Sequence, residues 1–183
     1  MYRRIITVLL IVCFAPHVSS QEKEVKETEE KEGAKGEHVV TLGLGHAQVA
    51  KGKNADGKKV WMSLPSWSLN YAYWLSNRWG IGLQSDMVVE KFVVENEDGE
   101  ELERERPIAL VPVVLWKFSR SFSLFGGAGV ELEKEENMGL TRLGIEFGVE
   151  LPKKWEAGIA AMWDNKWGHY NLWVLEFSFS KIF

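Results

Sequence analysis

Residues 171–183 read NLWVLEFSFSKIF, and their alternation decides the fold. Trp173, Leu175, Phe177, Phe179 and Phe183 fall on odd positions, with Asn171 and Lys181 the exceptions, and Glu176, Ser178 and Ser180 stand between them. Large apolar and small polar side chains therefore take opposite sides of a segment with a period of two, which is a strand with one greasy face. Such a strand needs partners for its edges. Nothing follows Phe183, so the partners lie earlier in the chain, and closure against the first strand is the expected solution.

Working back toward the N-terminus, the chain from His38 divides into eight candidate strands: 38–50, 60–75, 79–95, 107–118, 122–133, 138–151, 155–164 and 169–183. Residues 76–78, 119–121 and 152–154 are tight turns, whereas 51–59 and 96–106 are long charged loops, 134–137 is a shorter charged link and 165–168 closes the last hairpin. Short turns at one end and longer loops at the other describe an antiparallel up-and-down meander. An even strand count puts both chain ends on the short-turn side. Pro112 in the fourth strand removes a ladder donor and predicts a bulge or a local break there.

Alternation alone does not say which face is inside, because a soluble lipocalin-like barrel alternates too. The residues of the polar phase do. Gly43 and Gly45, Ser66, Ser68 and Asn70, Gly80, Gly82 and Gln84, Gly127 and Gly129, and Ser178 and Ser180 are small, with isolated ionisable groups among them. That is the content of a crowded lumen and not of a solvated outer wall. The opposite phase carries Leu69 and Tyr71, Ile81 and Leu83, Leu143, Ile145 and Phe147, which suit lipid. Aromatic residues gather at strand ends, Trp79 and Trp155 beside the short turns and Trp163 and Trp173 nearer the loops, as two bilayer interfaces require. The ten steps from Trp173 to Phe183, at ~3.3 Å each and tilted about 45°, rise roughly 23 Å, close to the apolar band of about 25 Å in such membranes.

The 183 residues support one domain, and 45% hydrophobic composition is ample for burial. The opening MYRRIITVLLIVCFAPHVSS has a basic start at Arg3 and Arg4 and an apolar run from Ile5 to Ala15, too short to span a bilayer as a helix. Val18 and Ser20 stand three and one residues before Gln21, so residues 1–20 are expected to be a cleaved signal peptide. Cys13, the single cysteine, falls inside that signal, which removes disulfides and cysteine metal sites from the mature chain. Val12 is too bulky for the position before an acylated cysteine, against a lipoprotein reading. Residues 21–37 are nearly all charge and small side chains, an expected disordered leader ahead of a barrel at 38–183. The formal charge of −4 becomes −6 without Arg3 and Arg4, a balance that argues against nucleic acid.

Assembled, these features resemble the small eight-stranded bacterial outer-membrane barrels, the OmpA-, OmpX- and OmpW-like group and a family of uncharacterised outer-membrane barrels. The resemblance covers roughly residues 38–183 and is carried by the signal, the strand count, the segment WDNKWGHYNLWVLEFSFSKIF and the terminal FSFSKIF. It implies a Gram-negative outer membrane and insertion by the barrel assembly machinery, with Phe177, Phe179 and Phe183 as the assembly signal. It does not imply one activity, because the fold hosts several.

Inward Glu131, Glu133, Glu146 and Glu176, with Glu150 and Glu156, outnumber the evident inward cations, Arg142 and Lys117. An eight-stranded barrel is just wide enough for side chains to fill, so a buried polar network centred on Arg142 is expected. A proton or small-ion path is the functional alternative. His169 invites comparison with outer-membrane lipid A deacylases, which carry His and Ser two residues apart near the C-terminus. Asn171 stands at the matching place, so the nucleophile is missing and an interfacial loop histidine is the plainer reading, for His46 as well. The Gly runs at 43–45 and 126–129 open no helix and fit no phosphate loop. Four Lys in 51–59 could meet lipopolysaccharide phosphates, and the seven acids of 95–106 could take divalent cations, against the plainer reading of solvated loops.

The sequence therefore predicts a monomeric, non-enzymatic outer-membrane barrel with a side-chain-filled lumen and no cofactor or metal, in a structural or surface-interaction role. Its expected partners are outer-membrane lipids, with lipopolysaccharide a candidate, and the barrel assembly machinery. Small-solute transport, lipid modification and a soluble lipocalin-like binder are the competing readings.

Overall fold

A computed structural model describes residues 34–53, 56, 58–95, 99–134 and 136–183. The expected signal and residues 21–33 of the leader lie outside the described residues. The strands are β1 (His38–Lys53), β2 (Lys59–Trp74), β3 (Trp79–Val88), β4 (Lys91–Glu95), β5 (Glu101–Glu105), β6 (Ile108–Lys117), β7 (Phe122–Leu132), β8 (Met138–Leu151), β9 (Trp155–Lys166) and β10 (Asn171–Ile182). Every pairing is antiparallel, and eight of the strands form the wall in the order β10-β9-β8-β7-β6-β3-β2-β1. The wall closes where β1 meets β10, from Val39 opposite Ile182 to Val49 opposite Leu172. Closure leaves no free edge on the wall.

Alternation sets the two faces on every wall strand. Val49, Val111 and Leu140 are fully buried inside, as are Leu64, Phe125 and Met162 nearly so, whereas Leu44 and Phe177 are each 64% exposed on the outside. The exposed apolar side chains form a continuous belt, including Leu42, Leu69, Ile81, Val114, Leu143, Ile145, Leu175 and Phe179. A water-soluble monomer rarely shows a contiguous apolar patch beyond a few hundred Å², so this wall is one for lipid. The inverted, lipocalin-like arrangement is thereby excluded.

Two expectations about local structure need correction. The third strand does not run unbroken through 79–95. It leaves the wall after Val88, where Val89 N donates to Pro65 O at 3.0 Å, and resumes as β4. Nor is all of 96–106 loop, because Glu101–Glu105 pairs with β4 from Lys91 opposite Glu105 to Glu95 opposite Glu101. This hairpin folds back onto the barrel because its alternate side chains Phe92, Val94 and Arg104 find burial there. Its far edge reaches β1, with Val94 opposite Gly52, beyond the point at which β10 begins. The hairpin thus starts from β3, pairs with β1 two strands along the wall, and reaches Glu131 of β7 through Arg104, so it lies over the loop end of the lumen.

Pro112 gives the local break and not the bulge: the β6–β7 ladder skips Val111 and Pro112 and resumes in the same register. Leu83 faces Pro112 within an unbroken β3–β6 register, and β7 keeps one register with β6 on both sides of it. Close approach by glycine accommodates the proline instead: a Cβ on Gly127 would collide with the carbonyl oxygen of Pro112.

Candidate functional site

Among the described residues, buried charge concentrates in the lumen. At mid-barrel Arg142 on β8 is 1% exposed and clamps Asp164 of β9 with two bonds, Nε to Oδ1 at 2.7 Å and Nη2 to Oδ2 at 2.6 Å. Its Nη1 lies 2.6 Å from Asp86 Oδ1 of β3 and donates to Gln84 Oε1 at 3.3 Å. The Asp86 contact is an ion pair outside hydrogen-bond alignment, since that oxygen has no aligned donor. One guanidinium therefore ties β3, β8 and β9 together across the barrel.

Toward the loop end, Lys166 lies fully inside and bridges Asp164 at 3.1 Å and Glu131 Oε2 at 3.0 Å. Glu131 on β7 also accepts from Tyr170 Oη at 2.9 Å and from Arg104 Nη2 at 2.6 Å and Nε at 3.1 Å. Arg104, brought by the hairpin, is fully buried and completes its contacts with Glu133 at 3.5 Å and the backbone oxygen of Glu136 at 2.8 Å. Phe92 of the same hairpin meets Tyr170 edge-on, with ring centroids 6.0 Å apart. The hairpin is thus held over the mouth by an apolar contact and by ion pairs to Glu131 on β7 and to Glu133 just beyond that strand. Ions this deep are tolerated because each has charged or hydrogen-bonding partners.

Toward the short-turn end the lumen is acidic. Glu176 lies over Gly43, where a Cβ would strike its carboxyl group and Ser68 Oγ. Glu146 accepts from Ser178 Oγ at 3.2 Å, and Lys117 stands 4.9 Å above the Trp74 ring. Among the described residues no group of three or more His, Cys, Asp and Glu side chains could hold a metal ion.

The structure divides the sequence-derived set. Arg142, Glu131, Glu133, Glu146 and Glu176 all point inward, yet none of the four glutamates is an ion-pair partner of Arg142. Its partners are Asp86 and Asp164, and Glu131 with Glu133 belongs to Arg104. Shape explains the exchange, because Arg142 faces Asp164 directly in the β8–β9 register, while Glu131 lies closer to the mouth. Asp86, Asp164 and Lys166 share parity with the inward residues of their strands and could have been read from it. Arg104 could not, since its inward position depends on the hairpin folding back.

Phe177, Phe179 and Phe183 lie exposed on the outer wall. Trp79 stacks on Trp116 at 6.0 Å and Trp155 on Phe179 at 4.9 Å near the short turns, while Trp163 and Trp173 approach to 6.4 Å nearer the loops. His169 lies in the β9–β10 turn with its backbone N bonded to Lys166 O at 2.9 Å. The serines of the last strand are far from it in register and already engaged, Ser178 with Glu146 and Ser180 with Thr41 at 2.8 Å.

The closed eight-stranded wall can be compared with solved structures. Ail, the attachment invasion locus protein of Yersinia pestis, aligns with a TM-score of 0.52 at 14% identity over 80% of this chain and 99% of its own. The fold is that of the small eight-stranded outer-membrane barrels. The outer membrane protein OprG of Pseudomonas aeruginosa aligns at 0.52 and 15% over 83% of this chain and 98% of its own. Neisserial surface protein A aligns at 0.51 and 10% over 80% and 99% respectively. No protein-family model and no curated protein matches the sequence. Fold and apolar belt together make this chain an outer-membrane barrel.

Proposed function

We propose that the protein is a non-conducting surface barrel, a structural or interaction element without enzymatic activity. The observation that carries this reading is Arg104, fully buried at the external mouth and holding the β4–β5 hairpin against Glu131 and Glu133. Below it the Lys166 and Arg142 ion pairs fill the lumen, so a hydrated path would have to break buried pairs.

What remains to act is the loop surface. Its carboxylates outnumber its cations in the sequence, and Glu90, Glu100, Glu101, Glu103, Glu105 and Glu136 are exposed. A basic partner suits such a surface better than a polyanion. Ail has been crystallised with the heparin analogue sucrose octasulfate, and the charge here favours the opposite ligand class. Phe177, Phe179 and Phe183 are the residues this account assigns to recognition by the barrel assembly machinery, and the working unit is a monomer.

Planar-bilayer recording on the refolded protein tests the reading. Silence across 100 mV supports a closed barrel. Steady, ohmic steps would overturn it in favour of small-solute transport.

A further inference from the structure

The short-turn end differs in charge from the loop end. Lys35, Arg78, Arg120, Lys153 and Lys154 are exposed there, with Lys181 half-buried among them, against the carboxylates Glu37, Glu150 and Glu156. The cations are spread around the barrel and not clustered. Arg78 is on the β2–β3 turn, Arg120 on the β6–β7 turn, Lys153 and Lys154 on the β8–β9 turn, and Lys181 on β10. One weak pair, Lys154 to Glu37 at 3.9 Å, is the ion pair seen among them.

Directly above this collar runs a ladder of rings. Trp79 meets Trp116, Trp116 meets Phe118 at 5.7 Å, Phe118 meets Phe122 at 6.0 Å, and Phe122 meets Phe147 at 5.0 Å. Lys181 joins the two layers, with Nζ 5.0 Å from the Trp155 ring and donating to Lys153 O at 2.6 Å. Aromatic rings of this kind settle at the headgroup level, so the collar is held at the depth of lipid phosphates.

The β8–β9 turn adds an independent sign. Lys153 and Lys154 both adopt positive φ, 63° and 59°, a region where asparagine or glycine costs less. Two long cationic side chains occupy backbone positions that serve the turn poorly, and their charge is what they offer in return.

The geometry points to a binding surface for anionic phospholipid headgroups of the periplasmic leaflet, formed by the cations of the short turns beneath the aromatic ladder. A phosphatidylglycerol-type headgroup fits this surface. Lipopolysaccharide does not reach it, being confined to the opposite face. Each lysine or arginine near such a membrane surface adds attraction that salt screens.

The test reconstitutes the full chain in phosphatidylcholine bilayers. Quenching of tryptophan fluorescence by brominated phosphatidylglycerol is compared with that by brominated phosphatidylcholine. The expected result is a relative association about fivefold in favour of the anionic lipid, the ratio one surface cation is worth, falling toward one in high salt. Lys153→Asn/Lys154→Gly relieves the backbone and keeps the fold, and it should lower the preference. Arg78→Gln/Arg120→Gln should lower it further, while Arg106→Gln at the loop end should not. Equal quenching by the two lipids, or a preference unchanged in both short-turn variants once heat-modifiable mobility shows them folded, would overturn the assignment.

Discussion

Replacing Arg142 with methionine keeps most of the side-chain volume and removes the guanidinium, leaving Asp86 and Asp164 in the lumen without it. Lys166 still neutralises Asp164 at 3.1 Å, but Asp86 loses its ion pair while about nine-tenths buried. Removing one partner of a buried pair costs about 3–5 kcal/mol, because the remaining charge is neither solvated nor matched. With a urea slope of ~2 kcal/mol per molar, the unfolding midpoint should fall by about 2 M. Tryptophan fluorescence during urea titration in detergent micelles reads this directly. The double variant Arg142→Met/Asp86→Asn discharges the orphaned carboxylate and should regain at least ~1 kcal/mol relative to additivity. A shift below about 0.5 M for Arg142→Met, or strict additivity in the double variant, would refute the picture of a desolvated ion-pair centre.

Arg104→Met should free the β4–β5 hairpin while leaving the wall intact. Limited proteolysis near Gly99 would accelerate, with the detergent-resistant barrel fragment still folded, and equal cleavage rates would count against the hairpin's role as a plug. Gly127→Leu forces a side chain into the Pro112 carbonyl and should cost more than the ~1–3 kcal/mol of ordinary overpacking, because backbone must move. Failure to refold into the compact gel species is the expected readout, and normal refolding would contradict the close approach. Trp155→Ala removes the stack on Phe179 and the ring beneath Lys181, with a loss of about 1–3 kcal/mol in the same urea titration.

The wall was legible because a membrane barrel writes its architecture in a period of two. On most wall strands between Gly43 and Ser180 one phase holds the small and charged residues and the other large apolar ones, so parity assigns the faces there; β6, apolar in both phases with Val111 and Val113 inside, is the strand where parity is silent. The β4–β5 hairpin was not legible. Phe92, Val94 and Leu102 continue the alternation past the wall, and nothing local says that the strand bends back after Val88. That decision belongs to tertiary contacts, Val94 against β1 and Arg104 against Glu131, made far apart in sequence. For the same reason Arg142 was visible as an inward cation while its direct partners, Asp86 and Asp164, were not singled out. Proximity in a barrel follows stagger between strands, and Asp164 is brought opposite Arg142 by register and not by spacing. Pro112 was legible as a local break, since the β6–β7 ladder skips it, while the register holds because Gly127 lets the neighbouring strand approach closely.

All of this rests on the apolar phase facing lipid. The direct measurement is gel mobility of the membrane fraction with and without boiling in detergent. The account predicts that the protein sediments with the outer membrane and migrates as a compact species only when unboiled, the sign of a detergent-resistant barrel. A soluble periplasmic band whose mobility does not depend on boiling would contradict it, and would turn the belt of Leu44, Ile81, Leu143 and Phe177 into a surface needing another cover.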